Sequence, residues 1–212
     1  MGANPICLFA STRGSLSLIF AVSAAISVFA MKANKAVFLD RDGVINRPII
    51  VEGKPYPARA VAEFEILPGV NQACEDLKNA GFLLVVATNQ PDIGRGILKK
   101  DVVEAIHETM MQRLPIDRVE VCYHAGAEFG EECECRKPLP GMLINAAAAL
   151  DIDLTRSFMV GDRWRDIDCG KRAGCKTTFI DWGYNEQLRE QPDFRGANLT
   201  EAVHWILRHS NR

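Results

Sequence analysis

The stretch Val37-Phe38-Leu39-Asp40-Arg41-Asp42-Gly43-Val44-Ile45-Asn46 constrains the fold more than any other. Apolar residues lead into two carboxylates one position apart and then a glycine, which reads as a short buried strand broken at its C-terminal end. In open α/β sheets that end of a strand is where ligands are held, so Asp40 and Asp42 would stand at the ligand edge. Taken alone, the same Asp-x-Asp also suits a turn, because aspartate bonds its own backbone there.

The rest of the chain decides the class. Short apolar runs alternate with amphipathic segments, the pattern of βαβ units and a mostly parallel sheet. Strands are predicted over 36–39, 82–87, 119–123, 157–160 and 177–180, and helices over 70–79, 100–113, 141–150, 165–173 and 199–207. The expected fold is a Rossmann-like α/β three-layer sandwich. A chain of 212 residues with 48% hydrophobic content fits one such domain with a small insertion. Twenty-five Lys and Arg oppose 27 Asp and Glu, a net charge of −2, so charge supports neither a nucleic-acid nor an acidic-membrane partner. A small molecule is the expected partner, and a monomer the expected state.

Residues 1–31 depart from this pattern. Arg13 is their only charge, and 15–30 (SLSLIFAVSAAISVFA) carries none. Three readings compete: a secretory signal with a small-residue site near Val28-Phe29-Ala30, a marginal membrane anchor, or an upstream extension with Met31-Lys32 as the true start. The lone Arg favours the last, giving 1–31 as an extension and 32–212 as the folded domain. Seven cysteines, at 7, 74, 122, 133, 135, 169 and 175, leave one over in any complete pairing. That suits a reduced, cytoplasmic setting and a metal better than a disulfide framework.

Between residues 46 and 69, five prolines and glycines interrupt any regular pattern; such a long loop beside Asp40 and Asp42 reads as a β-hairpin flap offering Lys54, Tyr56 and Arg59 to a substrate, or as an ordinary solvated hairpin. The run Leu83–Ala87 ends in Thr88-Asn89-Gln90, whose hydroxyl and backbone N–H groups suit phosphate oxygens and equally suit a turn. Cys122-x-His124 and Cys133-x-Cys135 give three thiols and an imidazole in two short pairs, the donor set of a closed tetrahedral Zn²⁺ site in the loop 122–135. With all four positions filled by protein, that ion would be structural. Arg136 and Lys137 follow directly. Met159-Val160-Gly161-Asp162 repeats the strand-to-carboxylate design, and Asp166 lies in the first helical turn beyond, either as an acid that orients the metal-binding carboxylates from behind or as a helix N-terminal carboxylate.

Asp40-x-Asp42-Gly43-Val44, Thr88, Lys137 and Gly161-Asp162-x-x-x-Asp166 together resemble, in order, the four motifs of the haloacid dehalogenase superfamily of phosphatases. More narrowly, DRDGVIN, TNQ, the Cys/His loop, RKPLPGM and MVGD are similar to the branch acting on heptose 1,7-bisphosphate, with the histidinol-phosphate phosphatases as its neighbour. The resemblance implies a nucleophilic Asp40, Asp42 as general acid and base, and Mg²⁺ held by Asp40, the Asp42 carbonyl and Asp162. It further implies Thr88 and Lys137 on the phosphoryl group, and Asn89, Gln90, Arg136 and Arg163 around a small phosphorylated metabolite, a sugar phosphate. A non-catalytic zinc-loop binding module is the competing class.

Overall fold

Alternate residues of the first strand, β1 (Lys35–Leu39), face two different cores. Val37 and Leu39 join one apolar cluster, Ala36 and Phe38 the other, and all four are fully buried. A strand apolar on both faces needs a helical layer on each side, which is the condition for a three-layer sandwich. The computed structural model of the protein describes residues 33–52 and 54–210, so the readings made for 1–31 fall outside it.

The remaining elements are a hairpin, β2 (Ile49–Val51) and β3 (Lys54–Tyr56), then α1 (Val70–Asn79), β4 (Phe82–Asn89), the short α2 (Pro91–Gly94), α3 (Lys100–Arg113), β5 (Arg118–Cys122), α4 (Gly141–Leu150), β6 (Phe158–Gly161), α5 (Trp164–Ala173), β7 (Lys176–Ile180), β8 (Phe194–Gly196) and α6 (Leu199–His209). Six strands form one sheet in the order β5-β4-β1-β6-β7-β8, every pairing parallel. Residues of α1, α3 and α6 fill the cluster on one face, and residues of α4 and α5 the cluster on the other.

From β1 the chain builds outward through β4 and β5, then crosses back to β6 and builds through β7 and β8 in the other direction. The strand order therefore reverses beside β1, the place where open α/β sheets bind ligands. Burying Val37, Phe38 and Leu39 stabilises the fold by ~1.5–3 kcal/mol each.

The predicted helices over 70–79, 100–113 and 141–150 stand as read; those at 165 and 199 each run one or two residues further. The segment 46–69 folds as the expected hairpin followed by turns, with Ile49 paired to Tyr56 and Val51 to Lys54. Strand β8 and helix α2 were not anticipated. Among the described residues no helix is long and apolar enough to cross a membrane.

Candidate active site

Three neighbouring strands end at one place: β4 delivers Thr88 and Asn89, β1 delivers Asp40, and β6 delivers Asp162. A cavity of about 270 Å³ opens there, lined by Asp40, Asp42, Thr88, Asn89, Lys137 and Asp162 among others, with Pro55, Tyr56 and Pro57 of the hairpin region on its rim. Tyr56 thus reaches the cavity as expected from a flap, whereas Arg59 is exposed and does not line it. The side chain of Lys54 lies outside the described residues.

Lys137 is the hub. Its buried ammonium donates to the Ala87 carbonyl at 2.7 Å and pairs with Asp40 Oδ1 at 2.9 Å and Asp166 Oδ1 at 2.6 Å. Three donors thus meet three acceptors, and although burial opposes the charge, Asp166 and Asp40 hold the lysine pKa above its ordinary value. Asp166 also accepts from the Arg163 N–H through Oδ2 at 2.9 Å, so it is both the helix N-terminal carboxylate and the second partner of the lysine.

Asp40 and Asp42 are treated differently by their surroundings. Burial pushes Asp40 up to about 6, against the pull of Lys137. Asp42 is also buried, yet it accepts from Arg41 Nη2 at 2.8 Å, Asn46 Nδ2 at 3.0 Å and Gln90 Nε2 at 3.0 Å, and the Arg41 charge with these bonds holds it below the usual carboxylate range. Two acids two residues apart are therefore set apart in proton affinity.

Neither carboxylate oxygen of buried Asp162 has a hydrogen-bond partner of ordinary geometry among the described residues, although Tyr184 stands close by. Burial, then Asp40 and Asp166, drive its pKa well up. Oxygens of Asp40, Asp162 and Asp166 lie within 4.8 Å of one another. Orphaned buried carboxylate oxygens beside a second carboxylate are what a hard divalent cation such as Mg²⁺ would satisfy. The approach is close enough that Gly43, at φ +90°, could not carry a Cβ without striking the Asp162 carboxylate.

The second cluster is Cys122, His124, Cys133 and Cys135, again with donor atoms within 4.8 Å. Cys122 Sγ lies 3.7 Å from Cys133 Sγ and 3.5 Å from His124 Nδ1, and Cys135 Sγ lies 3.2 Å from that nitrogen. Edges of this size are close to those of a tetrahedron with metal–ligand bonds of roughly 2.0–2.3 Å, a cage compatible with zinc. None of the six described cysteines forms a disulfide.

Some expected substrate contacts are otherwise engaged. Asn89 lines the cavity, but its amide accepts from the Lys137 N–H at 3.0 Å and donates to the Lys137 carbonyl at 3.1 Å, fixing the lysine's backbone. Gln90 is not a cavity residue: it is buried and bridges Asp42 and Thr88 Oγ1, each at 3.0 Å, because its side chain turns back under the strand end. Arg136 lines the cavity and donates to the His124 carbonyl at 3.3 Å. Arg163 lines it too, with its guanidinium bonded to Glu186 at 2.7 and 2.8 Å. His107, whose Nε2 lies 3.0 Å from Arg41 Nη1, was missed; a single histidine inside a helix carries no spacing signal.

The fold and site together define a phosphatase of the α/β class. A family model described as HAD-hydrolase-like matches residues 134–204. The D-glycero-D-manno-heptose-1,7-bisphosphate 7-phosphatase of Thermosynechococcus vestitus is 34% identical over 194 residues, covering 82% of this chain and 96% of that one. The D-glycero-beta-D-manno-heptose-1,7-bisphosphate 7-phosphatase of Escherichia coli K12 is 38% identical over 158 residues, 70% of this chain and 80% of its own. Among solved structures, the D,D-heptose 1,7-bisphosphate phosphatase of B. bronchiseptica, complexed with magnesium and phosphate, matches with a TM-score of 0.68 at 30% identity, over 82% of this chain and 98% of that one. The chain belongs to the haloacid dehalogenase-like family of phosphatases, alongside these heptose bisphosphate phosphatases.

Proposed function

We propose that the protein removes the 7-phosphate of D-glycero-D-manno-heptose 1,7-bisphosphate through an aspartyl-phosphate on Asp40. The observation that carries the chemistry is geometric: Asp40 paired to the buried Lys137, beside the unpartnered carboxylate of Asp162, in a cavity that Asp42 and Thr88 also line. In the first step a carboxylate oxygen of Asp40 attacks phosphorus and the bond to the sugar oxygen breaks. Asp42 serves as the general acid that gives a proton to that leaving oxygen. In the second step Asp42, now a carboxylate, takes the proton of a water that attacks phosphorus and frees Asp40.

Asp40, Asp162 and the Asp42 carbonyl would hold Mg²⁺, which supplies positive charge to the phosphoryl oxygens. Lys137 offsets the charge of Asp40 and faces the transferred group, and the Thr88 hydroxyl adds a donor. Cys122, His124, Cys133 and Cys135 would hold a structural Zn²⁺ that fixes Arg136 and Lys137 in place. Residues 32–212 form the catalytic domain in this reading, acting as a monomer in the cytoplasm, where unpaired thiols persist.

The names of the relatives support heptose bisphosphate over histidinol phosphate. A panel of the two compounds ranked by kcat/KM tests the choice. The heptose bisphosphate is expected to lead by on the order of 10²-fold or more, since a site built for a second anion leaves buried charge unpaired without it. Equal rates, or a lead for histidinol phosphate, would overturn the substrate assignment and leave the chemistry standing.

A further inference from the structure

Four arginines line the catalytic cavity: Arg95, Arg136, Arg163 and Arg165. The first three have partners within the protein. Arg95 donates to Glu128 Oε1 at 3.0 Å and to the Ala125 carbonyl at 3.3 Å. Arg136 donates to the His124 carbonyl and lies 3.9 Å from Glu128. Arg163 gives one edge of its guanidinium, Nε and Nη2, to Glu186, which also accepts from the Trp164 N–H at 3.3 Å.

Arg165 is the exception. It is half-buried and has neither an ion pair nor a hydrogen bond to any described residue. Its guanidinium carbon stands 5.9 Å from the ring of its neighbour Trp164, on which Arg189 stacks at 3.5 Å. It also stands at a junction. A second cavity of about 470 Å³, running between the Cys/His loop and the start of α5, shares Glu128, Arg136, Lys137 and Arg165 with the catalytic one. A ligand reaching from the phosphoryl site toward that second space passes Arg165.

We propose that Arg165, and not Arg163, is the residue that grips the second, untransferred anionic group of the substrate and so selects a bisphosphate over a monophosphate. This rests on the sugar-bisphosphate reading given above. Arg163 is one of the substrate cations the sequence resemblance expects, but turning its whole fork to a ligand requires it to abandon two charge-assisted bonds to Glu186. Arg165 has no direct bond to give up, its attraction to Asp166 and Glu186 acting only at longer range. Burial and the neighbouring Arg163 make its charge costly, and hold its pKa below the ordinary arginine value, so an incoming phosphate relieves an existing penalty.

The test uses the full chain as wild type and as R165Q, R165K and R163Q, with kcat/KM measured for heptose 1,7-bisphosphate and for heptose 7-phosphate. In R165Q the bisphosphate-to-monophosphate ratio is expected to fall by about tenfold or more, mainly through KM, as for loss of a charged hydrogen bond. R165K should recover part of the ratio, since it restores charge without the planar fork, and R163Q should change the ratio less than R165Q does. A ratio in R165Q within about twofold of wild type, or a collapse confined to R163Q, overturns the proposal. A wild type with no preference for the bisphosphate defeats the substrate reading and this inference together, whereas a preference that R165Q retains defeats the inference alone.

Discussion

Arg41 is fully buried, and its guanidinium bridges His107 and Asp42 at 3.0 and 2.8 Å. A buried guanidinium keeps its charge, so the imidazole facing it stays neutral and accepts from it. Burial first, then the Arg41 charge, lower the His107 pKa from 6.5 to about 4. In the unfolded chain the same histidine takes up a proton near its ordinary 6.5, so below that pH protonation favours unfolding. Stability contributed by neutral His107 is therefore complete above pH 6.5 and lost as pH falls to about 4, a total of roughly 3 kcal/mol. Asp40, raised to about 6, acts in the opposite direction over the same range, so the comparison must be between variants. Against wild type, His107→Gln should flatten the loss of stability between pH 6.5 and 4 in urea titrations; parallel curves for the two proteins would contradict the assignment. The carboxylates are legible from spacing because Asp40 and Asp162 each end an apolar run and Asp42 follows the first after one intervening residue. Arg41 and His107 were not paired by reading, since 66 residues separate them and only the packing of α3 on the sheet joins them.

The Cys/His loop acts as an element on Lys137. Strand β5 delivers Cys122, the loop closes on itself through the other three donors, and Arg136 and Lys137 follow within two residues. Asn89, at the end of β4, then clasps the Lys137 backbone by two bonds. Cys133→Ser opens the cage on one side. It should lose the bound zinc and lower Tm by roughly 8–16 °C, as expected for a loss of about 4 kcal/mol in a chain of this size. Unchanged zinc content by elemental analysis together with an unchanged Tm would refute the staple. Elements with a full period declared themselves: the helices over 70–79, 100–113 and 141–150 were read to the residue. Strand β8 was not, because three residues bordered by turns show no alternation to count, and its place at the sheet edge is set by pairing with β7.

The whole molecule puts its chemistry where the strand order reverses. Strands β4, β1 and β6 lie side by side, and their C-terminal ends bring Thr88, Asp40 and Asp162 together although they are far apart in sequence. The parallel sheet and the motif positions Asp40, Thr88 and Asp162 are legible because each follows an apolar run, whereas Lys137 is placed by the Cys/His loop before it. The sequence did not reveal which cavity cations are free, since that depends on side-chain pairs such as Arg163 with Glu186 that no spacing announces. The central claim is that Asp40 becomes phosphorylated. Its most direct measurement is mass spectrometry of the Asp40 peptide after a single turnover quenched in acid, with Asp40→Asn run beside it. The expected result is one phosphoryl group on Asp40 in the wild type, none in the variant, and turnover reduced by on the order of 10⁴-fold or more in the variant. Phosphate release at an undiminished rate in Asp40→Asn, with no adduct in either protein, would contradict it.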